Sequence, residues 1–213
     1  MGHPLRVIDP ELAYHAFCRG SNRGPIAWDR QDFDSLYAEL SRVAKRQRWR
    51  VLAWCLMPNH HHVVLRANTE GFSAGFRSMN GNHARRTNRR YGRTDHLFRN
   101  RPRDREIASQ AYLVAAILYV VRNPLESGLV EDAAAWPYSS YRATAGLEPA
   151  PDWLALDEVH PLFGSTAAGA AAEFARLVHN GHVLVSDTDG MSGTDGKPKQ
   201  PETAVLTVMA AGA

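Results

Sequence analysis

The sequence predicts an α+β fold, a small antiparallel sheet with helices packed on one face. Three observations carry that expectation: two apolar strand-like stretches joined by Met57-Pro58-Asn59, three stretches of helical period, and the order strand, helix, strand, strand, helix, helix. Residues 13–19 partly alternate apolar and polar side chains, as a short strand does, and Gly20 to Pro25 then form a turn. From 29 to 46, Phe33, Leu36, Tyr37, Leu40 and Val43 recur at helical spacing, with Asp29 placed to cap. Residues 49–56 are apolar and β-favouring. Residues 60–65 form the next strand, with His60, His62 and Val64 on one face and His61, Val63 and Leu65 on the other. Residues 72–90 read as a helix, basic outside, with Phe76 and Met79 turned inward, and 92–105 as an irregular arginine-rich connection. Residues 108–121 form a third helix with Leu113, Ile117, Val120 and Val121 facing the core. Asn123-Pro124 marks its end, because a residue before proline resists the helical region. Trp136 to Tyr141 is aromatic and turn-rich, 167–179 is an alanine-heavy helix, and 186–213, poor in large apolar groups, is expected to be disordered.

The 213 residues, 44% hydrophobic and 22% charged, suit one well-buried domain with appendages. No run of about 18 apolar residues signals a membrane span, and the first residues lack a signal-peptide core. Cys18 and Cys55 sit in apolar segments and read as reduced, buried thiols. Together these lead us to expect an intracellular protein, cytoplasmic and nucleoid-associated. The formal net charge is only +3, but its distribution is uneven. Ten arginines lie between Arg77 and Arg105, opposed only by Asp95 and Asp104. Arginine's planar fork suits bidentate phosphate contact and base stacking, so a solvated helix face is the weaker reading and nucleic-acid contact the stronger.

Two features carry chemistry. His60 and His62, two apart on a strand, project to the same side and can offer two nitrogen ligands to one divalent cation while His61 points away. Alone, the triplet is equally compatible with an exposed strand end or an adventitious metal binder. Tyr119 and Asn123 lie four apart and share one helix face. Taken alone they read as a packed aromatic and a C-cap; brought against the histidine strand they would join a nucleophile to metal ligands.

Several spaced motifs together then point to a family. The stretch Trp54-Cys55-Leu56-Met57-Pro58-Asn59-His60-His61-His62-Val63-Val64-Leu65 resembles the HUH motif of the single-tyrosine transposases. Tyr119-Val120-Val121-Arg122-Asn123-Pro124-Leu125-Glu126-Ser127-Gly128-Leu129-Val130 resembles their tyrosine helix. Trp136-Pro137-Tyr138-Ser139-Ser140-Tyr141 resembles the segment that follows it in the REP-associated tyrosine transposases. The opening strand and turn from Tyr14-His15 to Arg23, and the basic linker from Asn88 to Phe98, are similar as well, so the likeness spans roughly residues 13 to 145. One departure stands out: His61 occupies a position that is normally bulky and apolar. Facing the core it needs partners for its nitrogens; facing the site it competes for the metal.

The resemblance implies a ferredoxin-like sheet with the HUH motif on a central strand, and a division into an N-terminal extension (1–12), a catalytic domain (13–145), a C-terminal helical extension (146–185) and a tail (186–213). It implies Mg²⁺ or Mn²⁺ held by His60, His62 and Asn123, and single-stranded DNA cleavage and strand transfer by Tyr119 through a 5′-phosphotyrosine link. The phenol, with an ordinary pKa of about 10, needs help to ionise; His15 on the first strand is a candidate proton acceptor. Arg19, Asn22, Arg23, Arg85, Arg86, Arg89, Arg90, Arg93, Arg99, Arg101 and Arg103 are the candidate contacts to single-stranded or hairpin DNA, with Tyr91 or Phe98 stacking on an unpaired base. Whether the tyrosine helix acts within one subunit or across a homodimer stays open. The rival readings are an HUH-fold protein that binds hairpin DNA or RNA without catalysis, a replication initiator or relaxase, and a structural zinc protein, the last opposed by the cysteine spacing.

Overall fold

A computed structural model describes residues 7–180. Four strands, β1 (Ala13–Arg19), β2 (Arg50–Leu56), β3 (His60–Arg66) and β4 (Arg103–Ile107), form one antiparallel sheet in the order β2-β3-β1-β4. Helices α1 (Arg30–Arg46) and α2 (Thr69–Tyr91) complete a ferredoxin-like βαββαβ unit, and α3 (Gln110–Glu126) follows. The histidine strand β3 is internal, paired with β1 and β2.

Both faces of the sheet are covered, which corrects the expectation of helices on one face. Tyr14, Ala16, Trp54, Val63 and Leu65 pack with Leu36, Leu40 and Val43 of α1 and Phe72, Phe76 and Met79 of α2. Ala13, Ala53, Cys55 and Val64 turn the other way and pack with Leu113, Ile117, Val120 and Val121 of α3, and with Phe174 and Val178 of helix Ala167–Asn180. The physical reason lies in β2: apart from Arg50 it is buried throughout, and a strand with no polar face has no face to give to water.

β4 was missed because it is an edge strand whose sequence, Arg103-Asp104-Arg105-Glu106-Ile107, buries only Ile107. Charge on an edge discourages pairing with another chain, and it erases the apolar alternation that marks a strand. The opposite edge, β2, is covered from within. Leu56 N–H donates to Tyr138 O at 2.8 Å, Ser140 N–H to Trp54 O at 2.9 Å, and Ala155 N–H to Val51 O at 2.8 Å.

Helix ends follow local chemistry. Asp29 caps α1 by accepting from Asp32 N–H at 3.1 Å, as the sequence indicated. Asn68 caps α2, which closes on Gly92 in the left-handed region at φ 61°, and Ser109 caps α3. α3 runs past Asn123-Pro124 to Glu126, beyond its expected end. Pro124 brings no N–H to the ladder, and the Asn123 side-chain amide instead donates to Tyr119 O at 2.9 Å and Val120 O at 3.5 Å. Cys18 and Cys55 are buried and free. Among the described residues no helix is long and apolar enough to cross a membrane; the expected tail at 186–213 lies outside them.

Candidate active site

The site forms where β3 passes under α3. Within one chain, the register of β1 against β3 sets Arg19 opposite His60 and Phe17 opposite His62, so His60, His62, His15 and Phe17 share the face that α3 covers. The His60 and His62 rings stand perpendicular, 4.8 Å apart between centroids. Tyr119 meets His62 edge to face at 5.6 Å and His15 at 6.0 Å, while itself only half-buried. One turn on, Asn123 brings its Oδ1 to 3.2 Å from His60 Nε2. The two histidines, the tyrosine and the asparagine are therefore gathered in one place.

Proton counting exposes a conflict there. His60 Nδ1 lies 2.6 Å from Asn59 Oδ1, and its Nε2 faces Asn123 Oδ1. Both amides are oriented by their other ends, since Asn59 Nδ2 donates to Arg23 O at 3.3 Å and Asn123 Nδ2 to Tyr119 O. An imidazole between two acceptor oxygens needs two N–H groups, yet a neutral ring has one. Burial pulls the His60 pKa down to about 4, and the nearby Arg19 charge pulls the same way, against the Asn123 contact, so the ring is neutral near pH 7. With its proton on Nδ1 for Asn59, two lone pairs face each other at Nε2 and Oδ1. His62 is unsatisfied in a complementary way. Its Nδ1 lies 2.9 Å from His15 Nε2, whereas its Nε2 is buried without a partner. Burial, followed by the neighbouring positive groups, holds the His62 pKa well below the ordinary value. Two imidazole lone pairs and an amide oxygen are a donor set that suits a divalent cation such as Mn²⁺. Among the described residues no group of three His, Cys, Asp or Glu is placed to hold a metal, and the amide oxygen of Asn123 is the further oxygen that faces His60.

His61 does not compete. It points to the α1–α2 face, fully buried, with its Nε2 2.9 Å from Asn80 Oδ1 and its ring parallel to Phe76. His15 is poorly placed as the proton acceptor of Tyr119: its Nε2 is engaged by His62, and burial, with Arg105 nearby, lowers its pKa to about 4. The partners Asn59 and Asn80, and the His15–His62 contact, escaped the sequence reading. The only available signal was that any buried imidazole must bond something.

The arginines divide. Arg85, Arg86, Arg89, Arg93, Arg99, Arg101 and Arg103 are exposed, as are Asn22 and Arg23, which take left-handed backbone at φ 53° and 59° in the turn beside β3. Arg19 lies half-buried at the site with its Nε unpartnered. Arg90 is occupied inside the chain, binding Asp29 at 2.6 Å and the buried Asp32 at 2.5 Å. Phe98 packs beside His61 and His83 against the core, whereas Tyr91 is 38% exposed.

Comparison with known proteins agrees with this architecture. The family described as "Transposase IS200 like" matches residues 10–103, from β1 to the start of β4 and short of the tyrosine helix. Over this region the chain is similar to the IS200-like transposases. Its more particular likeness is to the REP-associated tyrosine transposases: the structure of one such transposase, bound to a REP hairpin, aligns over 79% of this chain and 97% of its own at TM-score 0.56 and 18% identity. At that identity the alignment speaks for the fold. A tRNA(His) guanylyltransferase from Saccharomyces cerevisiae aligns over 83% of this chain and 82% of its own at TM-score 0.39 and 11% identity, too remote to argue from. No curated protein matches the chain.

Proposed function

We propose that this chain cuts and rejoins single-stranded DNA, using Tyr119 as nucleophile beside a divalent cation held by His60, His62 and Asn123. The observation that carries the reading is the meeting of His60 Nε2 and Asn123 Oδ1 at 3.2 Å, two acceptors left facing each other next to the unpartnered His62 Nε2. A cation resolves all three at once. When bound, it would polarise a non-bridging oxygen of the scissile phosphate and help the phenol to ionise.

The rest falls to the chain's own residues. Asn59 Oδ1 and His15 Nε2 each accept a hydrogen bond from the Nδ1–H of a ligand histidine, which directs the Nε2 lone pairs of His60 and His62 to the site. Arg19, beside His60, offers positive charge to the phosphate. Tyr119 Oη forms the bond to phosphorus, the phosphorus–O3′ bond breaks, and the departing oxygen takes up a proton to become a 3′-hydroxyl. The phosphotyrosine retains the bond energy, so another strand's 3′-hydroxyl can attack it and release Tyr119. The hairpin held by the structurally similar transposase supports hairpin DNA as the partner here, with the exposed arginines of α2 and the following connection as its contacts.

The test is incubation of the full chain with a stem-loop oligonucleotide, with and without Mn²⁺, followed by denaturing electrophoresis and peptide mass spectrometry. A Mn²⁺-dependent adduct on Tyr119, absent from Tyr119→Phe, is the expected result. An adduct that survives Tyr119→Phe overturns the nucleophile assignment. Tight DNA binding with no adduct leaves the reading of a non-catalytic hairpin binder.

A further inference from the structure

The surface at the junction of α1 and α2 carries an aromatic pair that the catalytic reading does not use. Trp28 and Tyr91 are among the few large apolar side chains left exposed, at 39% and 38%, and their rings lie 4.8 Å apart at 37°. Their positions are organised by one residue. Asp32, 4% exposed, accepts from Trp28 N–H at 3.0 Å and from Tyr91 Oη–H at 2.8 Å, and binds Arg90. Arg90 in turn lies 5.0 Å from the Tyr91 ring centre and is fixed by Asp29. A buried carboxylate and its guanidinium thus hold two rings rigid at the surface, where the rings contribute little to the core.

We propose that Trp28 and Tyr91 form a stacking site for an unpaired nucleobase of the bound DNA. Three observations select that occupant. First, the Arg93 guanidinium already lies over the Trp28 ring, 5.5 Å from its centre, so this ring accepts a flat, delocalised group. A base has the same shape; it takes that place, and Arg93, following left-handed Gly92, moves to the adjoining phosphate. Second, Arg85, Arg86 and Arg89 stand exposed on the same end of α2, a setting that favours a polyanion over an apolar protein partner. Third, the site is tied to the metal-binding strand: Ile26 and Ala27, just before Trp28, both donate their N–H to Pro58 O, at 2.7 and 3.1 Å, and Pro58 is two residues from His60.

This inference rests on the proposed DNA substrate but not on catalysis, so it is read by binding in the Tyr119→Phe background, which forms no adduct. Two probes are compared by fluorescence anisotropy, a hairpin with an unpaired flank and the same hairpin with a blunt end. Trp28→Ala is expected to weaken binding of the flanked hairpin roughly 5- to 100-fold. It should leave the blunt hairpin and the salt slope unchanged, with Trp28→Phe restoring most of the loss. Unchanged affinity for the flanked hairpin, or equal weakening of both probes, overturns the stacking site even where the DNA reading survives. Failure of both probes to bind the parent protein overturns the two together.

Discussion

A neutral imidazole carries one N–H and one lone pair, so each buried histidine of β3 needs both an acceptor and a donor or cation. His61 meets half of that need through Asn80, leaving its Nδ1 and Asn80 Nδ2 unpartnered. Replacing one partner strands the other, at about 1–3 kcal/mol, whereas replacing both by apolar groups is nearly neutral. Chemical denaturation of His61→Leu, Asn80→Leu and the double variant should therefore show strong non-additivity, the double variant being close to the parent; additive losses would refute the pairing. His15 acts on its neighbour instead. If it fixes the His62 tautomer, His15→Phe should lower Mn²⁺ affinity by roughly 10- to 100-fold, as measured by calorimetry, with little change in melting temperature. At this scale strand and helix periods put His60 with His62, and Tyr119 with Asn123, on shared faces, and only the family resemblance joined the two pairs into one site. The sequence was silent on which amides meet which imidazoles: Asn80 and His61 are 19 residues apart in sequence and brought together only by packing.

Elements became legible in proportion to how far their side chains alternate. β1, β3 and α1 declared themselves by period and cap, and their observed bounds fall within a residue of the expected ones. β4 did not, because charge on its edge hides a strand's period. The two-sided cover of the sheet was written in the unbroken apolar run of β2, a signal that the one-face expectation overlooked. The junction of α1 and α2 depends on Arg90, which joins the first turn of α1 to the last turn of α2 through Asp29 and Asp32. Arg90→Ala leaves the Asp32 carboxylate buried and unpaired. The melting temperature should fall, and Trp28 fluorescence should become more quenchable; an unchanged melting curve would show that the pair does not hold the helices.

Across the whole molecule, two properties follow from the distribution of charge and burial. Burial lowers the pKa of His61 to about 4 and also lowers that of His83, so unfolded chains bind more protons than folded ones below the ordinary value of 6.5. Stability is then full above about pH 6.5 and drops as the pH falls below it, for His61 by about 1.4 kcal/mol per pH unit down to about pH 4, with His83 adding a loss of the same sign. Denaturation midpoints measured between pH 7 and 4 check the sign; midpoints that rise on acidification contradict it. With the proposed DNA contacts on the arginines of α2 and the following connection, affinity should depend on salt. Contact with about five phosphates gives a log–log slope of roughly −3.5 for single strands, and Arg89→Ala should reduce its magnitude by about 0.7.

The central claim is that two imidazoles from β3 and an amide from α3 close around one cation beside a phenol. Anomalous diffraction from crystals grown with Mn²⁺ measures this most directly. The account predicts one strong peak bonded to His60 Nε2, His62 Nε2 and Asn123 Oδ1, next to Tyr119. A saturated crystal with no peak there, or with His60 and His62 bound to different ions, would contradict it.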